Sequence, residues 1–503
     1  MAGLVNAEYH LSNNMEVLTG CVSDKYELVV GLEIHAQLST LSKAFSSDSA
    51  AFGAGPNEHV SPVSLGHPGT LPRINKKMVE YAVKMGLACN SAINLQNTFA
   101  RKNYFYADLP KGYQTTQDQH PICLGGFVTV KLSDHTTKDI AIHHIHMEDD
   151  AGKSSHDQHD QYSLIDLNRA GVPLIEIVSE PDLRSAEEAG QFLTEVRRLL
   201  RYLDICDGNM EEGSMRCDAN ISVRLHGAAA YGNRCEVKNL NSIRNVQRAI
   251  EHEFARQIGI IEEGGRIDQN TLNFNADTGE TSVLRSKEMA NDYRYFPEPD
   301  LLPVLITDAY LDGIREQMPV LPKELFAKYT TTLGLSDYDA GVITADKHFA
   351  AYFEEVIKHT DHYKSAANWL MGAVRSYLND HNLTIDEIAL KPAQLASLIK
   401  LVDEGKVNNS VAAHKLFPEM IKGNNKTADQ LAKDLNLGIS DDASQLDEFI
   451  KAALAKFPDK VIEYQKGKKG VLGLFMGEIM KISKGKIDPK KTNQLLIKEL
   501  ESK

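Results

Sequence analysis

In a stretch near the start of the chain, from Leu28 to Leu38, apolar and polar residues alternate. Alternation with a period of two is typical of a β-strand that has one buried face and one open face. The open face carries Glu33, His35 and Gln37 instead of the lysines, serines and threonines of an ordinary solvent-facing strand. The stretch therefore predicts a strand whose open face does chemistry. Taken alone, it is also compatible with a surface strand that carries a chance acid and histidine.

Three further stretches alternate in the same way, at residues 142–150, 216–224 and 234–238. If these strands share one sheet, which spacing along the chain does not show, their acids gather on one open face around His35 and His146. Four carboxylates on one face repel one another unless cations lie between them, so the set predicts a divalent metal site. A divalent metal with basic neighbours is the usual equipment for binding phosphate. The four acids are Glu33, Glu148, Asp218 and Glu236.

Length and composition limit the class of protein. A chain of 503 residues is expected to form about three domains. The net charge of −14 argues against nonspecific affinity for nucleic acid, so any RNA contact needs a local basic surface. Six cysteines without a CxxC pair predict reduced thiols in a cytoplasmic protein. No secretory leader pattern is present, and no apolar run approaches the roughly 18 residues of a membrane span.

The order of patterns along the chain predicts its domains. Residues 1–24 are polar and predict a flexible extension, and residues 25–318 carry all the strand patterns. Beyond residue 318 the pattern is helical, which predicts a helical domain at 319–430 and a tail domain at 431–503. The last 43 residues hold ten lysines against five acids. A basic helical tail on an acidic protein predicts an RNA contact, with a solvated lysine face as the alternative.

Two shorter motifs have a possible link to phosphate. The segment Arg101–Tyr106 interleaves cations with aromatic rings, which suits a phosphate or a stacked base. Its alternative is a strand with ordinary aromatic packing. The GKSS sequence that ends at Ser155 is not a P-loop, because Met147 stands where the first glycine of that motif belongs.

Long strings of the sequence resemble the B subunits of the bacterial aspartyl/glutamyl-tRNA amidotransferases. The resemblance runs in order from about residue 25 to the C-terminus. The strings are Gly31-Leu-Glu-Ile-His35, Arg101-Lys-Asn-Tyr-Phe-Tyr106, His146-Met-Glu-Asp-Asp-Ala-Gly-Lys153, Leu174-Ile-Glu-Ile-Val-Ser-Glu-Pro181, Met210-Glu-Glu-Gly-Ser-Met-Arg-Cys-Asp-Ala-Asn220, Glu236-Val-Lys-Asn-Leu-Asn241 and Asp292-Tyr-Arg-Tyr-Phe-Pro-Glu-Pro299.

The resemblance implies an α+β fold, with an N-terminal antiparallel-sheet cradle domain followed by an all-helical domain and a helical tail domain. It also implies a reaction. A protein of this family binds the mischarged 3′ end of tRNA(Gln) or tRNA(Asn) and uses ATP and Mg²⁺ to phosphorylate the side-chain carboxylate of the attached Glu or Asp. Ammonia then displaces phosphate and forms Gln-tRNA or Asn-tRNA. Phosphoryl transfer of this kind depends mostly on positioning and on neutralising charge.

The resemblance also implies roles for particular residues. Carried over by matching strings, the four acids take catalytic roles. Histidine is an unusual Mg²⁺ ligand, which makes Mn²⁺ a candidate substitute. The expected metal ligands are Glu33, His35, Glu148, Asp218 and Glu236. The expected cofactor-binding cations, for phosphate or carboxylate contacts, are Lys102, Arg216 and Lys238.

The resemblance implies partners as well, because no Cys/His glutaminase signature is present in the chain. Ammonia would come from an amidase, the A subunit, through an internal channel, and a small C subunit would brace the pair into a heterotrimer. Many members of the family bind a structural zinc through a CxC and a CxxC in the early loop. Here these positions read Ser46-Ser-Asp48 and Ser61-Pro-Val-Ser64, and serine is a poor zinc ligand, so no structural zinc is predicted.

Two other functions remain as alternatives. The first is a non-catalytic tRNA-binding subunit that positions substrate for a partner enzyme, but such a module has no need for four acids on one face. The second is an unrelated metal-dependent ligase or kinase that acts on a small acid, against which the basic tail argues.

Overall fold

The computed structural model of the chain describes residues 25–156, 159, 161–286, 293–438, 443–483 and 487–502. The predicted N-terminal extension, residues 1–24, lies outside these described residues. The chain divides into two compact units, residues 1–321 and 322–503. The first unit combines strands with helices, so the α+β class is confirmed. The predicted domain limits at residues 318 and 430 stay predictions.

The first unit contains most of the regular structure that positions the site. Its strands are β1 (Tyr26–Gln37), β2 (Ala92–Ile93), β3 (Gln96–Asn97), β4 (Ala100–Asn103), β5 (Tyr113–Thr116), β6 (Cys123–Leu124), β7 (Phe127–Lys131), β8 (Thr137–Asp149), β9 (Lys153–Ser155), β10 (Leu164–Asp166), β11 (Pro173–Ser179), β12 (Met215–Leu225), β13 (Cys235–Leu240), β14 (Asn270–Phe274), β15 (Thr281–Ser286), β16 (Phe296–Pro297) and β17 (Val304–Leu305). Its helices are α1 (Lys76–Ala88), α2 (Ala186–Tyr202), α3 (Ile243–Glu262) and α4 (Asp308–Glu316).

Among the described residues, ten strands form one large sheet in the order β15-β14-β13-β12-β1-β11-β8-β6-β2, with β7 also paired to β8. The neighbouring strands are antiparallel except for β13 and β14, which are parallel. The four strands predicted from alternation are therefore present in this sheet as β1, β8, β12 and β13. Strand β11 separates β1 from β8, an arrangement that the alternation pattern does not reveal. Smaller sheets pair β9 with β10, β4 with β5 and β16, and β3 with β17.

The buried face of β1 forms the centre of the core. Val30, Leu32, Ile34 and Ala36 are completely buried there. Helices α2 and α3 cover this side with apolar residues at helical spacing, such as Phe192 of α2. Burial of each such side chain contributes roughly 1.5–3 kcal/mol to the stability of the fold. Because the apolar side chains lie on this face of the sheet, polar residues occupy the opposite face.

Side-chain caps determine where these helices begin. The hydroxyl of Ser185 accepts a hydrogen bond from the backbone N–H of Glu188 at 3.0 Å, and Ser242 caps α3 in the same way. Two acids, Glu187 and Glu188, lie in the first turn of α2, where the helix dipole favours negative charge. Helical patterns in the sequence at residues 75–87, 185–203 and 241–257 coincide with α1, α2 and α3.

The second unit is helical in its described residues, as the sequence predicts. Residues of its last part, including Leu446, Ile450, Phe475 and Leu496, form a hydrophobic cluster of their own. The α-helices are α5 (Pro322–Ala327), α6 (Asp337–Thr344), α7 (Lys347–Ile357), α8 (Tyr363–Trp369), α9 (Arg375–His381), α10 (Pro392–Asp403), α11 (Asn409–Val411), α12 (Phe417–Met420), α13 (Ala428–Asp434), α14 (Ala443–Lys456), α15 (Pro458–Gln465), α16 (Leu472–Ile482) and α17 (Pro489–Ser502). The π-helical turns are Lys328–Thr332, Leu370–Val374 and Ala412–Leu416, and the 3₁₀ turns are Ile385–Glu387 and Lys469–Val471.

The structure also bears on membrane-spanning helices and on the cysteines. Within the described part of the chain, no helix combines the length and the apolar character that crossing a membrane requires. The five described cysteines are buried free thiols, which agrees with the prediction of reduced cysteines: Cys89, Cys123, Cys206, Cys217 and Cys235.

Candidate active site on the open face of the sheet

Strand register places polar residues in rows across the open face of the sheet. Residues directly opposite each other in antiparallel strands point to the same face, so a row of such residues can form one site. Asp218 lies opposite Glu33, and Glu148 lies opposite Leu174. The row between them runs across β12, β1, β11 and β8 and consists of Arg216, His35, Glu176 and His146.

The first group of possible metal ligands is His35, Glu148 and Glu176, whose ligand atoms lie within 4.8 Å of one another. We call it the histidine cluster. His35 Nε2 is 3.1 Å from Glu176 Oε2, and a second imidazole, His146 Nε2, is 3.1 Å from Glu148 Oε1. His146 Nε2 also lies 3.6 Å from Glu176 Oε2. Two imidazoles therefore alternate with two buried carboxylates in this cluster.

The second group is Glu33, Asp218 and Glu236, whose ligand atoms also lie within 4.8 Å of one another. We call it the lysine cluster, because Lys238 Nζ lies 2.5 Å from Asp218 Oδ2 and 3.0 Å from Glu236 Oε1. The side-chain amide of Asn220 donates to Glu33 Oε1 at 2.9 Å. The hydroxyl of Thr271 donates to Glu236 Oε2 at 3.0 Å. One ammonium, one amide and one hydroxyl are therefore among the partners of three carboxylates.

The lysine cluster has more negative charge than its partners balance. Burial raises the pKa of Glu33, and the negative charges of Glu176, Glu236 and Asp218 raise it further. When neighbouring acids raise the pKa of a carboxyl group, repulsion makes its ionised form electrostatically unfavourable. A divalent cation between these oxygens would remove that repulsion.

The histidine cluster is better balanced. Burial alone would lower the pKa of His35 and of His146, but carboxylate partners raise both above the ordinary value. For His35 the partner is Glu176, and for His146 they are Glu176 and Glu148. Burial alone would likewise raise the pKa of Glu148, but the positive charge of Lys102 and the hydrogen bond from His146 hold it below its usual range. The side-chain amide of Gln114 also donates to Glu148 Oε2 at 2.7 Å.

The three predicted cofactor-binding cations lie in different settings. Lys238 bridges two acids of the lysine cluster, and Arg216 Nη2 lies 2.7 Å from Asp150 Oδ2, so both have acidic partners. Lys102 makes no ion pair with a described residue, although the charges of Glu148 and Glu176 raise its pKa against the effect of burial. It is therefore the cation on this face best placed to attract an incoming anion.

Two features of the site differ from the sequence prediction. The sequence predicts four acids on one face around His35 and His146, and the structure divides these acids between the two clusters. The prediction also missed Glu176, which joins His35 to His146 across β11. Its signal is weak, since Glu176 is a lone acid in the apolar run from Leu174 to Val178, and such runs are typical of strands buried on both faces. A charged residue inside such a run needs a partner, and that is the clue to its role.

A cavity of about 220 Å³ adjoins the lysine cluster on the same face of the sheet. Its lining includes Glu33, Asn220, Ser222, Tyr231 and Arg234. The site therefore has room beside the carboxylates for part of a bound molecule.

The early loop, for which the sequence predicts no structural zinc, is arranged around Asp48. The hydroxyls of Ser46 and Ser61 donate to Asp48 Oδ2 at 3.0 and 2.9 Å, and the hydroxyl of Ser64 donates to the same oxygen. We call these four residues the Asp48 knot. Burial alone would raise the pKa of Asp48, but the three hydroxyls lower it. Three neutral hydroxyls and one carboxylate do not fit a tetrahedral zinc site.

Comparison with known proteins is consistent with this architecture. Residues 28–312 match the family model described as the GatB/GatE catalytic domain, and residues 351–500 match the one described as the GatB domain. The sheet with its two acid clusters thus lies inside the segment that matches a catalytic domain, which defines the chain as an enzyme component.

Several curated relatives are named as the B subunit of an aspartyl/glutamyl-tRNA(Asn/Gln) amidotransferase. The relative from Thermodesulfovibrio yellowstonii is 47% identical over 95% of this chain and 99% of its own length. The one from Solidesulfovibrio magneticus is 48% identical over the same shares, and the one from Ectopseudomonas mendocina is 47% identical over 95% of this chain and 100% of its own length. The chain belongs to this family of amidotransferase B subunits, whose enzymes are ligases that form carbon–nitrogen bonds with glutamine as amide donor.

Proposed function

We propose that this chain activates the side-chain carboxylate of Glu or Asp attached to tRNA(Gln) or tRNA(Asn), so that the carboxylate can be converted to an amide. The observation that carries the proposal is the pair of acid clusters, each with ligand atoms within 4.8 Å of one another, on one face of the sheet. The names of the relatives supply the substrates, Asp- and Glu-tRNA. A protein that only binds tRNA would not need to bury this much negative charge.

The carboxylates of both clusters fit Mg²⁺, and the imidazole of His35 makes Mn²⁺ a candidate for the histidine cluster. Carboxylate oxygens are the preferred protein ligands of Mg²⁺, and the raised pKa of Glu33 indicates negative charge that a cation would balance. We propose that Glu33, Asp218 and Glu236 hold one ion, and that His35, Glu148 and Glu176 hold another. When bound with ATP, Mg²⁺ neutralises phosphate charge during phosphoryl transfer.

The proposed reaction has two steps, phosphoryl transfer and amidation. The γ-phosphoryl group of ATP passes to a carboxylate oxygen, which yields ADP and an acyl phosphate. Ammonia then attacks the carbonyl carbon, phosphate leaves with the C–O bonding electrons, and the nitrogen loses a proton. We assign to Lys102, which makes no ion pair with a described residue, the attraction of the substrate carboxylate, and to Arg216 and Lys238 contacts with nucleotide phosphate.

The same proposal assigns partners. Ammonia would come from an amidase, the A subunit, and a small C subunit would complete the heterotrimer in the cytoplasm. The exposed lysines between α15 and α16, Lys466, Lys468 and Lys469, would contact the tRNA backbone.

The experiment that tests the proposal measures phosphate release by the purified chain with its amidase partner, ATP, Mg²⁺ and ammonium chloride. Glu-tRNA(Gln) and Asp-tRNA(Asn) are compared with the same tRNAs without an amino acid. Phosphate release that requires the aminoacyl group, together with formation of Gln-tRNA or Asn-tRNA, is the expected result. Binding of tRNA without such release would favour the non-catalytic tRNA-binding subunit instead.

A further inference from the structure

Two segments that are distant in sequence meet beside the histidine cluster because β16 pairs with β4. The backbone N–H of Asn103 donates to the carbonyl of Tyr293 at 2.9 Å, and the side-chain amide of Asn103 donates to the carbonyl of Arg294 at 2.8 Å. This pairing brings four aromatic rings into one row, which we call the tyrosine ladder. Its members, in order, are Tyr106, Tyr104, Tyr293 and Tyr295.

The rings of the ladder contact each other by their edges. Successive ring centroids are 5.7, 6.0 and 6.1 Å apart, and successive planes are inclined by 68°, 70° and 73°. In an edge-to-face contact, one ring presents only its edge to the other. The faces of that ring therefore stay available for stacking. The two end rings, Tyr106 and Tyr295, are 59% and 43% exposed.

Additional aromatic surface surrounds the ladder. Phe105 is 88% exposed beside Tyr106, and Phe296 is 43% exposed beside Tyr295. Single exposed aromatic rings are common on protein surfaces. Several exposed rings in one place mark a binding surface, because a contiguous apolar patch is unfavourable in water.

The inner part of the ladder is connected to the histidine cluster. Tyr104 Oη donates to Gln114 Oε1 at 3.2 Å, and the same amide donates from Nε2 to Glu148 Oε2 at 2.7 Å. The ammonium of Lys102 lies 5.4 Å from the ring centroid of Tyr293. The ladder therefore runs from solvent to Lys102, the cation that faces Glu148.

We propose that the tyrosine ladder binds the unpaired bases at the 3′ end of the aminoacyl-tRNA by stacking, and thereby brings the attached carboxylate to Lys102. The proposal rests on the proposed function and assigns the nucleic-acid contact within it. Every base has a flat π face, and stacking on an aromatic side chain contributes about 1–3 kcal/mol per base. Unpaired ends expose these faces, whereas a duplex covers them. Four rings in a row suit a chain of bases better than the single base of a mononucleotide.

The test uses the full-length chain and a short single-stranded RNA that ends in CCA with 2-aminopurine in place of the terminal adenine. Stacking quenches 2-aminopurine, so one titration gives both Kd and the stacking signal. Tyr106→Leu and Tyr295→Leu are each expected to raise Kd about tenfold and to reduce quenching. Tyr106→Phe and Tyr295→Phe keep a stacking ring and are expected to stay within about twofold of the parent chain.

Tyr338→Leu is the matched control, because Tyr338 is a 75% exposed tyrosine in the other unit of the chain. It is expected to leave Kd and quenching unchanged. Circular dichroism and melting temperature of each variant show that the fold is retained. Equal loss in the leucine and phenylalanine variants would indicate a role of the hydroxyl groups and would overturn the stacking proposal.

Two further arms separate the ladder from its alternatives. A blunt-ended RNA hairpin of equal charge is expected to bind weakly and independently of Tyr106. Mg-ATP is expected not to displace the oligonucleotide, and displacement would overturn the proposal by assigning the ladder to the adenine of ATP.

The outcome is independent of the proposed chemistry. If aminoacyl-tRNA-dependent phosphate release occurs but the leucine variants bind and quench like the parent, the ladder is wrong and the proposed function stands. If the ladder variants lose quenching while the parent releases no phosphate, the proposed chemistry is wrong and the ladder stands.

Discussion

The Asp48 knot and the lysine cluster both hold carboxylates among polar neighbours, yet their charge is balanced in opposite ways. Three hydroxyls donate to Asp48, and they hold its pKa below the usual range. At Glu33, burial and three neighbouring acids raise the pKa. The comparison shows that a carboxylate does not by itself indicate a metal site. A carboxylate whose oxygens accept hydrogen bonds from several donors, such as Asp48, has a structural role. A carboxylate that is surrounded by other acids, such as Glu33, needs a cation to balance the negative charge.

The histidine cluster lies between these two cases. Its carboxylates are buried, but the imidazoles of His35 and His146 and the ammonium of Lys102 stabilise their ionised forms. It can therefore persist without a metal and still offer oxygen and nitrogen ligands to one.

The largest effect is expected at Glu148, the buried acid of the histidine cluster. Glu148→Ala should lower aminoacyl-tRNA-dependent phosphate release by about a thousandfold or more, because it removes a metal ligand and the charge that faces Lys102. Binding of tRNA should stay within about tenfold of the parent value, since the proposed stacking rings and tail lysines are all retained. Phosphate release and filter binding measure the two effects.

Glu251→Ala serves as the control for this substitution, because Glu251 is an exposed acid on α3. Its activity should equal that of the parent chain. If Glu148→Ala retains activity, Glu148 is not part of the reacting site, and the assignment of the histidine cluster to the chemistry is wrong.

A smaller effect is expected when Mg²⁺ is added to the parent chain without nucleotide. Ligand binding at tenfold excess over Kd stabilises the folded state by about 1.4 kcal/mol, so the melting temperature should rise by roughly 2–3 °C. Glu33→Gln removes one ligand and also relieves the repulsion among the acids. It should therefore raise the melting temperature in chelator and abolish most of the increase with Mg²⁺.

Glu211→Gln, a change at an exposed acid outside the lysine cluster, should leave the Mg²⁺ response intact. An equal response of all three chains would mean that Mg²⁺ acts elsewhere on this acidic protein. The proposed ion of the lysine cluster would then be refuted.

Part of this site could be predicted from sequence because it depends on local patterns. Alternation in β1, β8, β12 and β13 predicted one open face that carries Glu33, Glu148, Asp218 and Glu236, and the structure places these four strands in one sheet. The roles of these residues in the site stay predictions. Register and partner choice could not be predicted, because they arise from the packing of whole strands. The insertion of β11, which brings in Glu176 and divides the acids into two clusters, is of that kind.

The same limit applies to the cations and the aromatic rings. Lys102, Arg216 and Lys238 look alike as basic residues in sequence, but only the fold shows that Arg216 and Lys238 have acidic partners. The segment Arg101–Tyr106 predicted a stacking or phosphate contact. Its meeting with Tyr293, about 190 residues later, depends on the short β4–β16 pair and has no sequence signature.

A modest effect on stability is expected at Asp48. Asp48→Asn keeps the size of the side chain but removes the charge that accepts three hydroxyl donors, and should destabilise the first unit by about 1–2 kcal/mol because the site is partly exposed. Because folding lowers the pKa of Asp48, its ionised carboxylate stabilises the fold at pH values above the pKa of an aspartate in the unfolded chain, about 3.9. This stabilisation is lost as the pH falls through the pKa of Asp48 in the folded chain. The parent and the variant should therefore differ at pH 7 and converge in acid.

Thermal melts at pH 7 and in acid measure this difference, and Ser47→Ala is the control because Ser47 is the exposed neighbour of the knot. A difference that persists unchanged into strong acid would show that the carboxylate charge is not what the hydroxyls stabilise. Activity per folded chain should be the same in all three proteins, in contrast to the effect at Glu148.

The smallest effect is expected when the parent chain is treated with a zinc chelator. The Asp48 knot offers one carboxylate and three hydroxyls, so purified protein should contain less than about 0.1 zinc per chain, and chelation should not change its melting temperature.

Ser46 Oγ and Ser64 Oγ nevertheless lie only 3.1 Å apart, with Asp48 beside both. A variant with cysteine at positions 46, 48, 61 and 64 should therefore bind about one zinc, because four thiolates would converge where the hydroxyls do now. Stoichiometric zinc in the parent chain, measured by elemental analysis, would refute the contrast between the knot and the acid clusters. A cysteine variant without zinc would show that convergence of these four positions is not sufficient for a metal site.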